Sequence, residues 1–336
     1  MDSKIQIVNM ANTITEAGNM NKLDLTTSPH LHNRWTTKKV MWMVVAALAP
    51  SLLAAVLFFG IYQLFIITTA VVFAVGTEYA IQTVRKQKLS VVDGSAALTG
   101  LLLALTLPPN FSLSSTAIGS IVAIGLGKQI FGGLGYNIFN PALVGRAFLQ
   151  AAFPVAITTW SANKFAVDGV TSATPLAAFK FDRITTGLSE MFIGSTGGSL
   201  GETSALAVLI GGIFLIAVGI VNWRIPFSMI IGMIVFGAIF NFIDPVKYPA
   251  PLFHLFAGGF LFAAFFMATD WVTSPVTNKG MWIFGFGISF VLIVIRLFGG
   301  LPEGVMYSIL FMNAFVPIIN RVTIPKIFGS VKEAAA

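Results

Sequence analysis

Residues 40–59, VMWMVVAALAPSLLAAVLFF, hold no charged side chain, and Lys38 and Lys39 stand immediately before them. A helix rises about 1.5 Å per residue, so roughly 20 apolar residues match the ~30 Å hydrocarbon layer of a bilayer. Similar runs, each bounded by charge, Pro or Gly, recur along the chain. They predict spans at 39–60, 61–84, 94–107, 114–131, 136–156, 203–222, 225–243, 252–269, 280–298 and 303–321. The expected fold is therefore an all-α integral membrane protein of about ten transmembrane helices.

Composition agrees. Of 336 residues, 56% are hydrophobic and 10% charged, and the mean hydropathy of +0.86 lies outside the range of soluble domains. The bilayer is thus the first partner. The absence of cysteine excludes thiolate-ligated iron–sulfur clusters, disulfides and thiol nucleophiles in this chain. Three histidines, His30, His32 and His254, give no basis for a bis-histidine haem, and no metal site is expected. The net charge of +7 reads as topology, without the interleaved aromatics of a nucleic-acid binder. Residues 1–36 are polar, with no apolar core followed by a small-residue cleavage site.

Ten spans put both termini on one side. With the N-terminus inside, fourteen basic residues fall on the inner side, Lys128 among them, and four, Lys164, Lys180, Arg183 and Lys247, on the outer. The positive-inside rule favours that orientation. The chain then divides into a cytoplasmic segment 1–36, a first five-helix half 37–156, an outer loop 157–202, a second half 203–321 and a cytoplasmic tail 322–336. The third span is short and stops at Pro108-Pro109, and its counterpart, Phe253 to Ala268, stops before Pro275. Phe131-Gly132-Gly133-Leu134 follows the first break and Phe298-Gly299-Gly300-Leu301 the second at nearly equal distance. These matches predict a duplication, and an odd number of spans per half makes the two copies inverted, with broken helices framing a central site.

The outer loop holds Asp168-Gly169-Val170-Thr171-Ser172-Ala173-Thr174-Pro175. A threonine hydroxyl can carry a phosphoryl group, yet such a stretch reads equally as a solvated loop, and chemistry alone does not single out Thr174. The segment resembles the flavinylation motif D-x-x-S/T-G/S-A-T of the RnfD/NqrB family, membrane subunits of redox-driven ion pumps, with Ser172 where many relatives have Gly. The resemblance extends through Thr27-Ser28-Pro29-His30 and Thr37-Lys38-Lys39, Phe139-Asn140-Pro141-Ala142-Leu143-Val144-Gly145-Arg146 and Met267-Ala268-Thr269-Asp270. It continues in Thr273-Ser274-Pro275, in Gly299 to Met306 and in Met312-Asn313-Ala314. It is nearest to RnfD, and Trp271 departs from the pattern.

The resemblance implies an FMN joined through phosphate to Thr174, with Asp168, Thr171, Ser172 and Ala173 forming the recognition motif for a flavin transferase. It also implies a second, non-covalent riboflavin and the partner subunits A, B, C, E and G of an Rnf complex in a prokaryotic inner membrane. The function so implied is electron transfer in a Na+ or H+ translocating complex that couples ferredoxin oxidation to NAD reduction. A subunit of the Na+-translocating NADH:quinone oxidoreductase is the near alternative. A small-solute permease or channel is the alternative of another class, since inverted repeats with broken helices suit it too.

Polar residues inside spans are costly and must face protein or water. Glu78, Asp270 and Glu303 are candidates for an ion path. Arg146 is a candidate flavin contact or a structural partner of a carboxylate. Asn140 opens a half-helix whose amides could meet a polar cofactor, or marks a kink satisfied by neighbours. Gly132 and Gly133 permit close helix approach, or would admit a flat ring. His254 is expected to be a hydrogen-bonded packing residue.

Overall fold

The computed structural model describes residues 35–160, 173–245 and 247–325. The chain divides after Thr36, and all the helices named below belong to the unit from residue 37 onward. Every element among the described residues is helical. α1 (Thr37–Ala47) and α2 (Ala49–Phe59) form one apolar rod, followed by α3 (Tyr62–Val84), α4 (Ser95–Leu105), α5 (Leu113–Gly125) and α6 (Pro141–Ala152). The second half holds α7 (Ala205–Val218), α8 (Arg224–Ile243), α9 (Pro251–Phe256), α10 (Phe260–Phe262, prolonged by the π-helical Ala263–Met267), α11 (Asn278–Phe298) and α12 (Val305–Thr323).

Among the described residues, six stretches are long and apolar enough to cross a membrane: 37–59, 62–84, 113–131, 224–243, 278–298 and 305–323. α4 and α7 are shorter apolar helices. Of the remaining expected spans, 136–156 contains the twelve-residue α6, and 252–269 contains the broken pair α9 and α10. The protein is an integral membrane protein with at least these six crossing-length helices.

α3 shows why the helices pack as they do. Gln63, Ile66, Ile67, Ala70, Ala74, Glu78 and Gln82 recur at three- and four-residue steps and are buried, whereas Phe65, Val72 and Phe73 on the other face are exposed. In water that face would be a liability; in lipid tails it is solvated. The buried stripe packs against α4 and α5, and α5 against α6; in the second half α8 packs against α9 and α11, and α11 against α12. Close approach depends on absent side chains. A Cβ on Gly100 would lie 2.7 Å from the Ala70 carbonyl oxygen, so α3 and α4 touch backbone to backbone.

Caps fix the starts. Ser112, Asn140, Ser204 and Thr277 each accept from backbone N–H groups in the first turn of α5, α6, α7 and α11. Two buried polar side chains tie the breaks to the last helix of each half. Arg146 of α6 donates to the Thr106 carbonyl at 2.6 Å, and Asn313 of α12 to the Thr273 carbonyl at 2.9 Å.

Gly132 and Gly133 do not serve helix approach. Both adopt positive φ, 117° and 104°, in the turn after α5, a conformation that disfavours side chains. Lys128, expected in an inner loop, is buried at 1% exposure, because Glu78 on α3 pairs with it.

Candidate functional site

Of the outer-loop motif, Ala173 and Thr174 lie in the described residues. The Thr174 hydroxyl accepts from the Ala177 N–H at 3.2 Å, capping the turn Pro175–Ala177. The following segment is clamped. Lys180 donates to the carbonyls of Arg296, Gly299 and Leu301, the first and last at 3.2 and 2.9 Å, and Phe179 packs on Phe253 with ring centroids 5.5 Å apart. Burial pulls the Lys180 ammonium below the usual lysine range. Three carbonyl acceptors at the end of α11 nonetheless suit a cation there.

Thr174 and Ala173 line a cavity of about 650 Å³, within the ~300–1,000 Å³ typical of small-molecule sites. Its floor is the break between α9 and α10. Helix α9 ends in carbonyls that Arg296 caps, its guanidinium donating to His254 O at 2.6 Å and Ala257 O at 2.9 Å. Gly258 turns at φ +68°, and the Gly259 N–H donates to the Glu303 carboxylate at 2.7 Å. Cation at the carbonyl end and anion at the amide end is the pairing that helix dipoles favour.

Arg146 reaches this break from the other half. Its guanidinium bridges Glu202 at 3.2 Å and Glu303 at 3.1 Å while donating to Thr106 O. Glu202 presses on Gly259 so closely that a Cβ there would lie 2.2 Å from its carboxylate oxygen. Burial, then the neighbouring Glu303, push the Glu202 carboxyl up to about 7, against the pull of Arg146.

A second polar cluster sits at the other end of α4. Lys128 pairs with Glu78 at 2.7 Å and donates to Ser95 Oγ at 2.6 Å. Gln129 and Gln82 also donate to Glu78. Beside it lies a smaller cavity, about 80 Å³, lined by Lys128, Asn137, Asn140, Asp270 and Trp271. Asp270 accepts from the Thr273 hydroxyl at 3.0 Å, and Asn140 donates to Met267 O at 3.1 Å, joining the two halves.

The expected site residues therefore separate. Arg146, Glu303, Ala173 and Thr174 share the large cavity, whereas Asn140 and Asp270 line the small one. Gly132 and Gly133 border neither cavity, because they shape the turn after α5 instead. The three candidate ion-path acids fall into two clusters, Glu303 in one, Glu78 and Asp270 about Lys128 in the other. Asp168, Thr171 and Ser172 lie outside the described residues. His254 is buried, with no partner for Nδ1 among the described residues. Sequence reading missed Glu202, Arg296, Lys180 and the pairing of Lys128; only the isolated charges of Lys128 and Arg296 within apolar surroundings offered a signal.

Comparison with known proteins identifies the family. The family model described as "NQR2, RnfD, RnfE family" matches residues 24–329. The chain is 44% identical to the D subunit of the proton-translocating ferredoxin:NAD(+) oxidoreductase complex of Clostridium ljungdahlii, covering 92% of this chain and 97% of the relative. It is 42% identical to the D subunit of the Na(+)-translocating ferredoxin:NAD(+) oxidoreductase complex of Acetobacterium woodii, covering 93% and 98%. The D subunit of the ion-translocating oxidoreductase complex of Stutzerimonas stutzeri is 38% identical over 88% of this chain and 93% of its own length. A model match over nearly the whole chain, with full-length relatives above one-third identity, makes this protein a member of the NQR2, RnfD, RnfE family.

Proposed function

We propose that this chain is the D subunit of an ion-translocating ferredoxin:NAD+ oxidoreductase and carries one electron-transferring FMN on Thr174. The observation that supports it is that Thr174 lines the large cavity, the same cavity that Arg146 lines. The residues fit the group. Gly197, Gly198 and Gly300 line the space without side chains, leaving room for a flat ring, and Thr106, Gln150 and Arg146 supply polar contacts. When bound, a flavin accepts and passes electrons one at a time. Thr174 would hold its phosphate; Arg146, fixed by Thr106, Glu202 and Glu303, would place positive charge beside it; Lys180 would keep the attached segment against α11.

The partners so proposed are subunits A, B, C, E and G, which would supply the iron–sulfur and nicotinamide sites that this cysteine-free chain lacks, with a flavin transferase for maturation. Ten spans in two inverted five-helix halves remain our reading. Four matched pairs support it: Thr106 and Thr273, Pro108 and Pro275, Phe131 and Phe298, and Arg146 and Asn313 are each 167 residues apart, and two of these pairs make corresponding hydrogen bonds. The proposed orientation has both termini cytoplasmic and Thr174 outside. Riboflavin is proposed as a second, extractable flavin; the small cavity, at about 80 Å³, does not fit it in the present conformation. A cation path would have to serve both acidic clusters.

The test is ultraviolet fluorescence of the denatured chain, made with and without flavin transferase, beside Thr174→Val. Fluorescence that depends on the transferase and is lost in the variant supports the assignment. Equal fluorescence in both chains, or none in either, overturns it.

A further inference from the structure

Glu202 is a carboxylate to which the flavin assignment gives no role beyond fixing Arg146. It stands in the turn before α7, its side chain only 7% exposed, on the wall of the same cavity as Thr174. Its surroundings come from four elements. α6 contributes Arg146, the turn before α12 contributes Glu303, and α11 contributes Arg296 within electrostatic reach. The break before α10 contributes only Gly259, which brings no charge and leaves the space that the carboxylate fills.

Two acids and two arginines balance formally, so this cluster holds no spare cation among the described residues to meet an added negative charge. Arg146 and Arg296 are already committed, to Thr106, Glu202 and Glu303 and to the end of α9. An electron arriving in such an enclosed place is stabilised by reorienting dipoles or by taking in a proton. Of the two carboxylates, Glu303 is held by an N–H and a guanidinium through separate oxygens. Glu202 meets the Arg146 guanidinium and the Ser199 hydroxyl and sits against the Gly259 backbone. The cavity rim includes exposed Thr158, Thr159 and Phe181, which gives water a route in.

We propose that Glu202 is the proton acceptor that compensates the electron received by the flavin on Thr174. The inference rests on that flavin reading. One electron comes from a one-electron donor of the iron–sulfur class in a partner subunit, and one proton comes from water at the rim. An O–H bond forms on the Glu202 carboxylate as the electron arrives. The bond breaks and the proton returns when the electron leaves, so charge in the cavity is unchanged over the cycle. The raised affinity of this carboxyl for protons, near neutrality before any electron arrives, means that modest added negative charge suffices to complete protonation.

The experiment uses the flavin-loaded full chain and its Glu202→Gln variant. Electrochemically induced infrared difference spectra report the carboxylic acid C=O band, and spectroelectrochemical titration from about pH 6 to about pH 8 gives the slope of potential against pH. In the wild type a deuterium-sensitive carboxylic acid band is expected to rise on reduction, with a potential that falls more steeply with pH than in Glu202→Gln, where the band is missing. Equal slopes, or a band that persists in the variant, overturn the proposal while the flavin remains visible in both chains. If the variant fails to load flavin, the wild-type spectrum decides alone: no carboxylic acid band on reduction overturns the proposal. A wild type that carries no flavin overturns the flavin reading itself, a different outcome, read from absorbance before any titration.

Discussion

Glu202 also links the cavity to the pH dependence of folding. Its carboxyl is raised from 4.5 to about 7 in the folded chain, so over that window the folded state holds a proton that the unfolded chain releases. Stability is therefore greatest below about 4.5 on account of this group and declines as pH rises through 7. Thermal unfolding in detergent should show Glu202→Gln losing less stability than wild type between pH 5 and 7, a comparison that isolates one carboxyl. Lys180 makes the opposite kind of contribution, tying the segment after Thr174 to three carbonyls at the end of α11. Lys180→Met removes charge-assisted bonds worth about 2 kcal/mol net. Proteolysis within residues 175–185 should become faster, with the remaining helices resisting as before.

At the scale of elements, the broken helix α9–α10 is held by charges from α11 and from the turn before α12. Gly258 is the hinge that permits it. An alanine there would adopt an unfavourable left-handed conformation and place its Cβ 2.9 Å from Glu303 and 2.7 Å from Leu176. Strain alone costs about 1–2 kcal/mol, so Gly258→Ala should lower the melting temperature and the yield of flavin-loaded protein together. The pair between α3 and the turn after α5 answers to the same physics. Glu78→Gln leaves Lys128 buried without its counter-charge, a loss of roughly 3–5 kcal/mol, whereas the double change Glu78→Gln with Lys128→Met should recover much of it in the same melting experiment.

These elements also mark the limits of legibility. The apolar runs showed that the chain is a membrane protein and located the long helices, because burial in lipid needs only length and composition. Thr174 stood out by resemblance. Glu202 lies in Ser195-Thr196-Gly197-Gly198-Ser199-Leu200-Gly201-Glu202-Thr203, which reads as a solvated loop, and what buries it is Arg146 and Gly259, far away in the chain. Lys128 read as a loop charge for the same reason, since its partner Glu78 stands two helices earlier. Period and composition are local quantities, and these charge pairs are not.

For the whole molecule, the cysteine-free sequence makes orientation directly measurable. Thr185→Cys, in the exposed segment after Thr174, should react with an impermeant maleimide on intact cells, and Lys88→Cys, in the exposed turn after α3, only after lysis. The reverse pattern would invert the proposed topology. The separation of the two charge clusters also has an electrical meaning. The Arg146 and Lys128 clusters stand at the two ends of α4, whose eleven residues span about 16 Å, roughly half of a ~30 Å hydrocarbon layer. A charge carried from one cluster to the other would cross at most about half of the transmembrane voltage, or roughly 1.2 kcal/mol per 100 mV. The protein would thus work as one stage of a divided capacitor, leaving the rest of the voltage drop to be crossed elsewhere in the complex.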